Sequence, residues 1–169
     1  SQAKLIQSID RSIRYQLTLI DELLEYTKAE LQPLGVAPSP VDLPDLLDDI
    51  AGYAIALCAQ QNNQFIYRPL TPLPKTLEID GIRLQQVLLN LLSNASKFTH
   101  NGVVTLTVEA HKQVDGYRIG LEVADTGIGI DVAKKTDIFG AYQQVQAING
   151  GTGLGLFIAQ RIVKAMRGE

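Results

Sequence analysis

The sequence has 169 residues, a mass of 18.4 kDa and a formal net charge of −3, with 46% hydrophobic and 20% charged residues. This length accommodates one core with an appended helix, and the composition is that of an ordinary globular protein. No apolar run reaches the roughly 18 residues that span a bilayer, and no signal peptide is recognisable. Without a Lys/Arg stripe, no nucleic acid is expected as a partner. Cys58 is the single cysteine, so neither an internal disulfide nor a cysteine metal site can form.

The first segment, residues 3–31, is predicted to form one long amphipathic helix. Its apolar residues recur at spacings of three, four or seven: Ile6, Ile9, Ile13, Leu17, Ile20, Leu24 and Leu31. This stripe is longer than a small domain needs, which favours pairing with another helix in a bundle or dimer. Simple packing against its own domain is the alternative.

A proline- and glycine-containing segment, residues 33–41, is predicted to be a linker and the domain boundary. Further along the chain, the patterns predict helices over 44–61, 82–98, 132–139 and 157–166 and strands over 64–68, 76–79, 103–110 and 117–124. Asp42 is the expected cap of the helix over 44–61. The apolar face of that helix is predicted to contain Leu46, Leu47, Ile50, Tyr53, Ala54 and Leu57. The last two strands alternate in polarity and should pair antiparallel through the turn HKQVDG. This order indicates an α/β sandwich with helices on one face of a sheet.

Two glycine-rich segments stand out, Asp125-Thr-Gly-Ile-Gly-Ile130 and Gly150-Gly-Thr-Gly-Leu-Gly-Leu156. Glycine lets a backbone approach a ligand closely, and free N–H groups at a helix start bind phosphate. The second segment directly precedes a predicted helix, as this mechanism requires. Neither segment has the ending of a P-loop or the context of a dinucleotide fingerprint. Structural turns are the alternative interpretation of both.

A pair of asparagines, Asn90 and Asn94, lies four residues apart on an otherwise apolar helix. This spacing places both carboxamides on one face. Mg²⁺ prefers oxygen ligands and brings waters and nucleotide phosphates with it, so it is one suitable partner. Caps on a neighbouring loop would satisfy the same two amides.

Four segments together resemble the N, G1, F and G2 boxes of sensor histidine kinases, in the same order. They are RLQQVLLNLLSNASKFT, DTGIGI, DIFGAYQQ and GGTGLGLFIAQRIV. The segment LTLIDELLEYTKAELQPLGVAPSPVDLPDLL is similar to the second helix of the phosphoacceptor bundle running through its linker into the catalytic domain. The resemblance implies the Bergerat-type ATP-binding fold, an α/β two-layer sandwich with a mixed sheet, preceded by a long N-terminal helix. It also implies three segments: a dimerisation helix over 1–32, a linker over 33–41 and an ATP-binding domain over 42–169 without its last strands.

By the same resemblance, the ligands are ATP and Mg²⁺, with Asn94 as the metal ligand and Asn90 beside the phosphates. Lys97 would offer its ammonium to the phosphates, Phe98 would pack near the sugar and base, and Asp125 would accept from the adenine amine. The remaining nucleotide-binding residues implied are Gly127, Gly129, Ile130, Gly151, Thr152, Gly153, Leu154 and Gly155. Where ATP-hydrolysing relatives carry a water-activating glutamate, this helix has Asn90, which suits transfer to a histidine instead of water.

No catalytic residue is assigned, because the helix with the phosphoacceptor histidine is absent and neither His100 nor His111 has a matching context. The F box is also unusual, reading Phe139-Gly-Ala-Tyr142, and the segment 144–150 is short and without Arg or Lys. The predicted function is therefore the ATP-binding catalytic domain of a sensor histidine kinase. The alternative is a degenerate, kinase-like regulatory or dimerisation module.

The resemblance further implies partners and a location. The partners are the phosphoacceptor helix within its own homodimer and a downstream response regulator or receiver domain. The domain is expected in the cytoplasm, within a parent protein associated with the inner membrane.

Overall fold

The structure, a computed structural model, describes residues 2–31, 34–130, 139–140 and 154–169. The chain divides into two compact units, one made of Ser1–Gly35 with Lys134–Glu169 and the other of Val36–Ala133. Nowhere in the described ranges is there a helix with the length and apolar character that a membrane span requires. The helices and strands are, in chain order, α1 (Gln2–Leu31), β1 (Ser39–Asp42), α2 (Leu43–Ala59), β2 (Gln64–Pro69), β3 (Thr76–Ile79), α3 (Gly81–Lys97), β4 (Val103–Gln113), β5 (Gly116–Asp125) and α4 (Gly155–Ala165).

The first unit contains α1 and α4. The predicted helix over 3–31 is confirmed almost to the residue. Six of its seven stripe residues have described side chains, and each of the six is at least 50% exposed, so the stripe is not buried within this unit. The contact between the two helices includes the rings of Tyr26 and Phe157, whose centroids lie 5.3 Å apart.

The second unit is built on a three-stranded mixed sheet in the order β2-β4-β5. Strand β2 pairs parallel with β4, and β4 pairs antiparallel with β5 from Val104↔Asp125 to Gln113↔Gly116. Strands β1 and β3 form a separate antiparallel pair. The helices α2 and α3 contact each other and the mixed sheet. This arrangement confirms the predicted mixed-sheet sandwich.

The core of this unit lies between the sheet and its two helices. Along β4, alternate side chains point inward, as expected for a sheet with one covered face. The buried apolar residues of β4, α2 and α3 are Val104, Leu106, Val108, Ala110, Leu43, Leu47, Ile50, Ala51, Ala54, Cys58, Leu84, Val87, Leu88, Leu92 and Ala95. Burial at this density holds α3, and with it the asparagine pair, in a fixed position on the sheet.

The sequence-based assignment is wrong at three places. Residues 33–41 are not entirely a linker, because Ser39–Asp42 forms β1 against β3. Proline is tolerated there because, among the described strands, β1 pairs with β3 alone and has one edge without a strand partner. The hairpin turn is shorter than HKQVDG, because pairing continues to Gln113↔Gly116 and leaves only residues 114 and 115 between the strands.

Tyr53 is 57% exposed and does not belong to the buried face of α2. The predicted helix over 132–139 falls, except for its last residue, outside the described residues.

Helices α2 and α3 both begin at an aspartate that caps the first turn. The predicted cap Asp42 accepts a hydrogen bond from the backbone N–H of Asp45 at 3.0 Å. Asp80 accepts from the N–H of Arg83 at 3.1 Å, and also from the N–H of Ala37 at 2.9 Å. Asp80 is only 7% exposed. One carboxylate therefore connects the segment before β1 with the start of α3.

The stability of this connection should depend on pH. Burial by itself raises the pKa of Asp80, but the N–H groups of Ala37 and Arg83, the Arg83 guanidinium and the Ile82 N–H outweigh it, so the pKa lies below its ordinary value. A depressed pKa contributes stability above the unfolded-state value of about 3.9, and this contribution is lost as the pH falls through the lower folded-state value.

Asp80→Asn is expected to lower the free energy of unfolding by about 1–2 kcal/mol at pH 7, because one amide oxygen replaces two charged acceptors. The difference from the unsubstituted chain should shrink below about pH 4. Urea unfolding at pH 7 and pH 3 measures both quantities. The matched control is Asp49→Asn, on the exposed face of α2. An equal loss at both pH values would contradict the assignment.

Candidate functional site

The end of α3 carries four of the predicted site residues. Asn90 and Asn94 are half-buried and lie one turn apart, as the spacing predicts. Phe98 is the C-cap residue, and its N–H donates to the carbonyl oxygen of Asn94 at 3.1 Å. The Lys97 ammonium lies 5.6 Å from the centroid of the Phe98 ring. The helix therefore ends with two amides, a cation and an aromatic ring within two turns.

The end of β5 carries Asp125, which is exposed and pairs with Val104 in the strand register. Its Oδ1 atom accepts from the N–H of Gly127 at 2.8 Å, which is an Asx turn closed by the aspartate itself. Thr126 then continues the pairing, since its N–H donates to the Val103 carbonyl at 3.1 Å and its hydroxyl oxygen accepts from the Val103 N–H at 3.0 Å. These bonds fix the direction in which the carboxylate leaves the sheet.

The loop after β5 packs directly against the residues that end α3. The N–H of Ile128 donates to the carbonyl oxygen of Phe98 at 3.3 Å. A Cβ atom at Gly127 would overlap that same carbonyl and lie 2.7 Å from Oγ1 of Thr99. Glycine is required at this position because the two backbone segments are in contact. The first glycine-rich segment begins 28 residues after the end of α3, and the two therefore form one structural feature.

Further along this loop, Gly129 has a φ of +72°, a left-handed conformation that side chains rarely adopt. The neighbouring Ile128 and Ile130 are 64% and 48% exposed. The loop thus presents exposed apolar side chains next to the single carboxylate of Asp125. An apolar surface with one fixed hydrogen-bond acceptor is suited to a flat, mostly apolar ligand that has a donor on one edge.

Asn63 supports this site and was not identified from the sequence. It is 8% exposed, and its amide nitrogen donates to the carbonyl oxygens of Ser96 at 3.1 Å and Thr99 at 2.7 Å. Its amide oxygen accepts from the N–H of Gly102 at 3.0 Å. One side chain thereby holds both ends of the segment that joins α3 to β4. The only sequence signal is the Asn-Asn pair before β2, which also predicts an ordinary turn.

The second glycine-rich segment is described only from Leu154. Leu154 is fully buried, and Gly155 begins α4, so a helix does start where phosphate binding would require it. Gly151, Thr152 and Gly153 lie outside the described residues, and so does Tyr142 of the unusual F box. Phe139 is 40% exposed. The assignments of Gly151, Thr152 and Gly153 stay predictions.

Neither histidine is part of these contacts. His100 is exposed in the segment after α3, and Nε2 of His111 lies 3.4 Å from Oε2 of Glu109 on an exposed part of β4. Among the described residues, no group of three or more His, Cys, Asp or Glu side chains could hold a metal. A metal at this site would therefore depend on the asparagine pair and on the ligand itself.

Residues 79–169 match the family described as "Histidine kinase-, DNA gyrase B-, and HSP90-like ATPase". The matched range contains α3, β4, β5 and α4 and is more than half of the chain. The chain belongs to this ATPase family. The resemblance inferred from the four boxes is confirmed, and the site described above lies entirely within the matched range, except for Asn63.

Two curated relatives extend the match to almost the whole chain. The aerobic respiration control sensor protein ArcB of Escherichia coli (strain K12) is 34% identical over 173 residues, which cover 99% of this chain and 22% of ArcB. The signal transduction histidine-protein kinase BarA of the same strain is 31% identical over 169 residues, covering 97% of this chain and 18% of BarA. The chain thus spans about a fifth of the length of these relatives.

Among solved structures, full-length ShkA in complex with AMPPNP superposes with a TM-score of 0.79 at 32% identity, over 98% of this chain and 34% of ShkA. The ATPase family, the kinase relatives and this superposition confirm the predicted fold class. They also confirm the prediction that this chain is the ATP-binding catalytic domain of a sensor histidine kinase.

Proposed function

We propose that this domain binds Mg·ATP at the junction of α3 and β5, and that in its parent protein it donates the γ-phosphoryl group to a histidine on a separate helix. The observation that carries the proposal is the fixed carboxylate of Asp125, whose Oδ1 atom is held by the Gly127 N–H while the loop packs on the Phe98 carbonyl. An acceptor fixed beside exposed apolar residues matches the edge of adenine that carries its amino group.

The same geometry supports our assignment of the nucleobase contacts. An ionised carboxylate can only accept, so Asp125 favours the 6-amino group of adenine over the 6-oxo group of guanine. Gly127 and Gly129 allow the base to lie against the backbone, and Ile130 offers an apolar contact. Phe98 lies next to the sugar and base. ShkA, whose complex contains the ATP analogue AMPPNP, has the same fold over 98% of this chain.

The phosphates are assigned to the polar side of α3. Lys97 supplies a positive charge at the end of α3, and Asn90 supplies an amide beside the phosphates. Gly151, Thr152, Gly153, Leu154 and Gly155 would donate backbone N–H groups at the start of α4, where the helix dipole favours anions. The described part of that segment supports this role, because α4 begins at Gly155.

The metal fits the donor set of the site. Mg²⁺ is usually bound through one or two protein oxygens together with substrate phosphates and waters, so a carboxylate cluster is not needed. The half-buried carboxamide of Asn94 offers one hard oxygen on the face of α3 that it shares with Asn90. Bound Mg²⁺ would neutralise charge at the phosphates, and Asn94 would be the residue of α3 that holds it.

The chemistry proposed is transfer instead of hydrolysis. The bond between the γ-phosphorus and the oxygen of the ADP leaving group breaks, and a bond forms between phosphorus and an imidazole nitrogen of the phosphoacceptor. Asn90 has no basic group, so it cannot activate water for the competing reaction. The domain contributes positioning and charge stabilisation, which account for most of the catalysis in phosphoryl transfer.

The partners are proposed from the helix α1 and from the relatives. Six apolar residues at heptad-like spacing stay exposed along α1, which is the arrangement of a helix that packs in a bundle or homodimer. ArcB is a sensor protein and BarA a signal transduction kinase. We therefore propose a homodimer that carries the phosphoacceptor helix. A response regulator or receiver domain would take the phosphoryl group, and the parent protein would be associated with the membrane.

The metal assignment predicts a specific effect of Asn94→Ala. We expect calorimetric titration with ATP to show tighter binding when Mg²⁺ is added to the unsubstituted chain, and at least a tenfold smaller gain in the variant, because the variant has lost the amide ligand. In EDTA the two proteins should bind ATP alike. Ser93→Ala, one residue earlier on the exposed side of α3, is the matched control. A full Mg²⁺-dependent gain in Asn94→Ala would remove this residue from the metal site.

Phosphoryl transfer is tested on a longer chain that includes the preceding phosphoacceptor helix. Incubation with γ-labelled ATP at a concentration near the dissociation constant should give an acid-labile, base-stable phosphate on that helix, and the Asp125→Asn version should give far less. Nucleotide binding without any labelled histidine would instead support the regulatory, kinase-like module.

A further inference from the structure

Thr99, the residue after the C-cap of α3, has a fully buried hydroxyl group that none of the roles above uses. Its backbone carbonyl accepts from the Asn63 amide at 2.7 Å, and its N–H donates to the Ser96 carbonyl at 3.4 Å. The residue is therefore held from both sides of its peptide unit. Its Oγ1 atom lies 3.4 Å from Oδ1 of Asp125.

The direction of this hydrogen bond follows from the chemistry of the pair. A carboxylate is acceptor-only when ionised, so the Thr99 hydroxyl donates to Asp125. Oδ1 then receives two donors, the Thr99 hydroxyl and the Gly127 N–H at 2.8 Å. Within the described part of the chain, Oδ2 accepts no hydrogen bond. The two carboxylate oxygens therefore differ: Oδ1 accepts hydrogen bonds from within the domain, and Oδ2 can accept one from a ligand.

The orientation matters because the terminal torsion of an aspartate is broad and roughly two-fold. A carboxylate on an exposed strand end would sample many orientations, and each would present an oxygen differently to a ligand. A donor from the buried side and a donor from the loop restrict this rotation. Binding then does not have to order the carboxylate, so the affinity for a correctly placed donor rises.

We infer that Thr99 is a positioning residue that orients the carboxylate of Asp125 towards the amino group of the nucleobase. The inference rests on the proposed nucleotide site and goes beyond it, because it assigns base selectivity to a buried hydroxyl group that does not touch the ligand. Thr99 acts through Asp125, so its removal should affect only ligands that carry the amino group.

The test is Thr99→Val, which keeps the shape of the side chain and removes the hydroxyl group. Calorimetric titrations of the intact chain use Mg·ATP and the Mg²⁺ complex of purine riboside triphosphate, which lacks the 6-amino group. The variant should bind Mg·ATP about tenfold more weakly, because binding must then order the Asp125 carboxylate. Its binding of the purine analogue should change less than twofold. Thr99→Ser should restore the preference for ATP. Thr107→Val, a half-buried threonine on β4, is the control.

Each outcome separates this inference from the proposed function. If the unsubstituted chain binds Mg·ATP and Thr99→Val keeps the full preference for ATP over the analogue, the inference is overturned and the nucleotide site stands. Equal weakening for both ligands also overturns it, because Thr99 would then only support the loop. If thermal unfolding shows that Thr99→Val does not fold, Thr99→Cys replaces it, because a thiol is only a weak donor. Thr99→Cys should lose part of the preference for ATP over the purine analogue. A full preference in this variant overturns the inference. Failure of the unsubstituted chain to bind Mg·ATP removes the proposed function itself.

Discussion

Asp125→Asn is expected to weaken Mg·ATP binding about 100-fold while the domain stays folded. The amide oxygen can still accept from the Gly127 N–H and the Thr99 hydroxyl, which hold Oδ1 in the structure. The amide NH₂ group then takes the place of Oδ2, so a donor faces the amino group of adenine. Leaving two donors opposed in this way costs about 2–3 kcal/mol, which corresponds to roughly two orders of magnitude in the dissociation constant.

Calorimetric titration measures the affinity, and thermal unfolding measures the fold. Asp115→Asn makes the same chemical change at the exposed tip of the hairpin and should leave binding unchanged. If Asp125→Asn bound Mg·ATP within twofold of the unsubstituted chain, the nucleobase acceptor would have to be another group.

Gly127→Ala is expected to abolish measurable nucleotide binding and to lower the free energy of unfolding by about 2 kcal/mol. The added Cβ would overlap the carbonyl oxygen of Phe98 and come within 2.7 Å of Thr99 Oγ1 and 2.8 Å of Asp125 Oδ1. A backbone atom cannot move away as a flexible side chain can, so the loop must separate from the end of α3. That separation breaks the Ile128–Phe98 hydrogen bond and releases Asp125 from its orientation.

The matched control is Gly52→Ala, in the middle of α2, where an added Cβ would meet nothing within 4 Å. This substitution should stabilise the domain by about 0.5–1 kcal/mol, because alanine loses less backbone entropy than glycine in a helix. Equilibrium unfolding in urea and titration with Mg·ATP give both numbers. Unchanged affinity in Gly127→Ala would show that contact between the loop and α3 is not needed for binding.

Most of the fold was predictable because the elements have strong local signals. The strand over Thr76–Ile79 and the helices ending near Leu31 and Lys97 follow from apolar periodicity, and Asp42 was recognised as a cap. Strand β1 was missed because its partner β3 lies 34–40 residues away and its prolines resemble a linker. The exposure of Tyr53 was also missed, because an amphipathic pattern cannot tell a buried position from the edge of a buried face.

The residues of the candidate site could be selected from the sequence, because the asparagine spacing and the first glycine-rich segment are both visible there; their roles toward a nucleotide stay predictions. The contact between them was not predictable. Thr99 and Asp125 are 26 residues apart, and Asn63 reaches residues 33–39 positions away. Such pairs form because α3 packs against the β4–β5 hairpin. A local sequence pattern does not predict this packing. Gly127 could also be named from the sequence, but the reason for a glycine there could not. The reason is that only a hydrogen atom fits beside the Phe98 carbonyl.

Calorimetric titration of the intact chain with ATP in the presence of Mg²⁺, followed by GTP as competitor, examines the nucleotide site itself. We expect saturable binding at one site, with a dissociation constant between about 1 μM and 1 mM, the range usual for enzyme substrates. GTP should not displace ATP, because its 6-oxo group faces the acceptor Asp125. Absence of saturable binding at millimolar ATP, or displacement by GTP at equal concentration, would contradict the account.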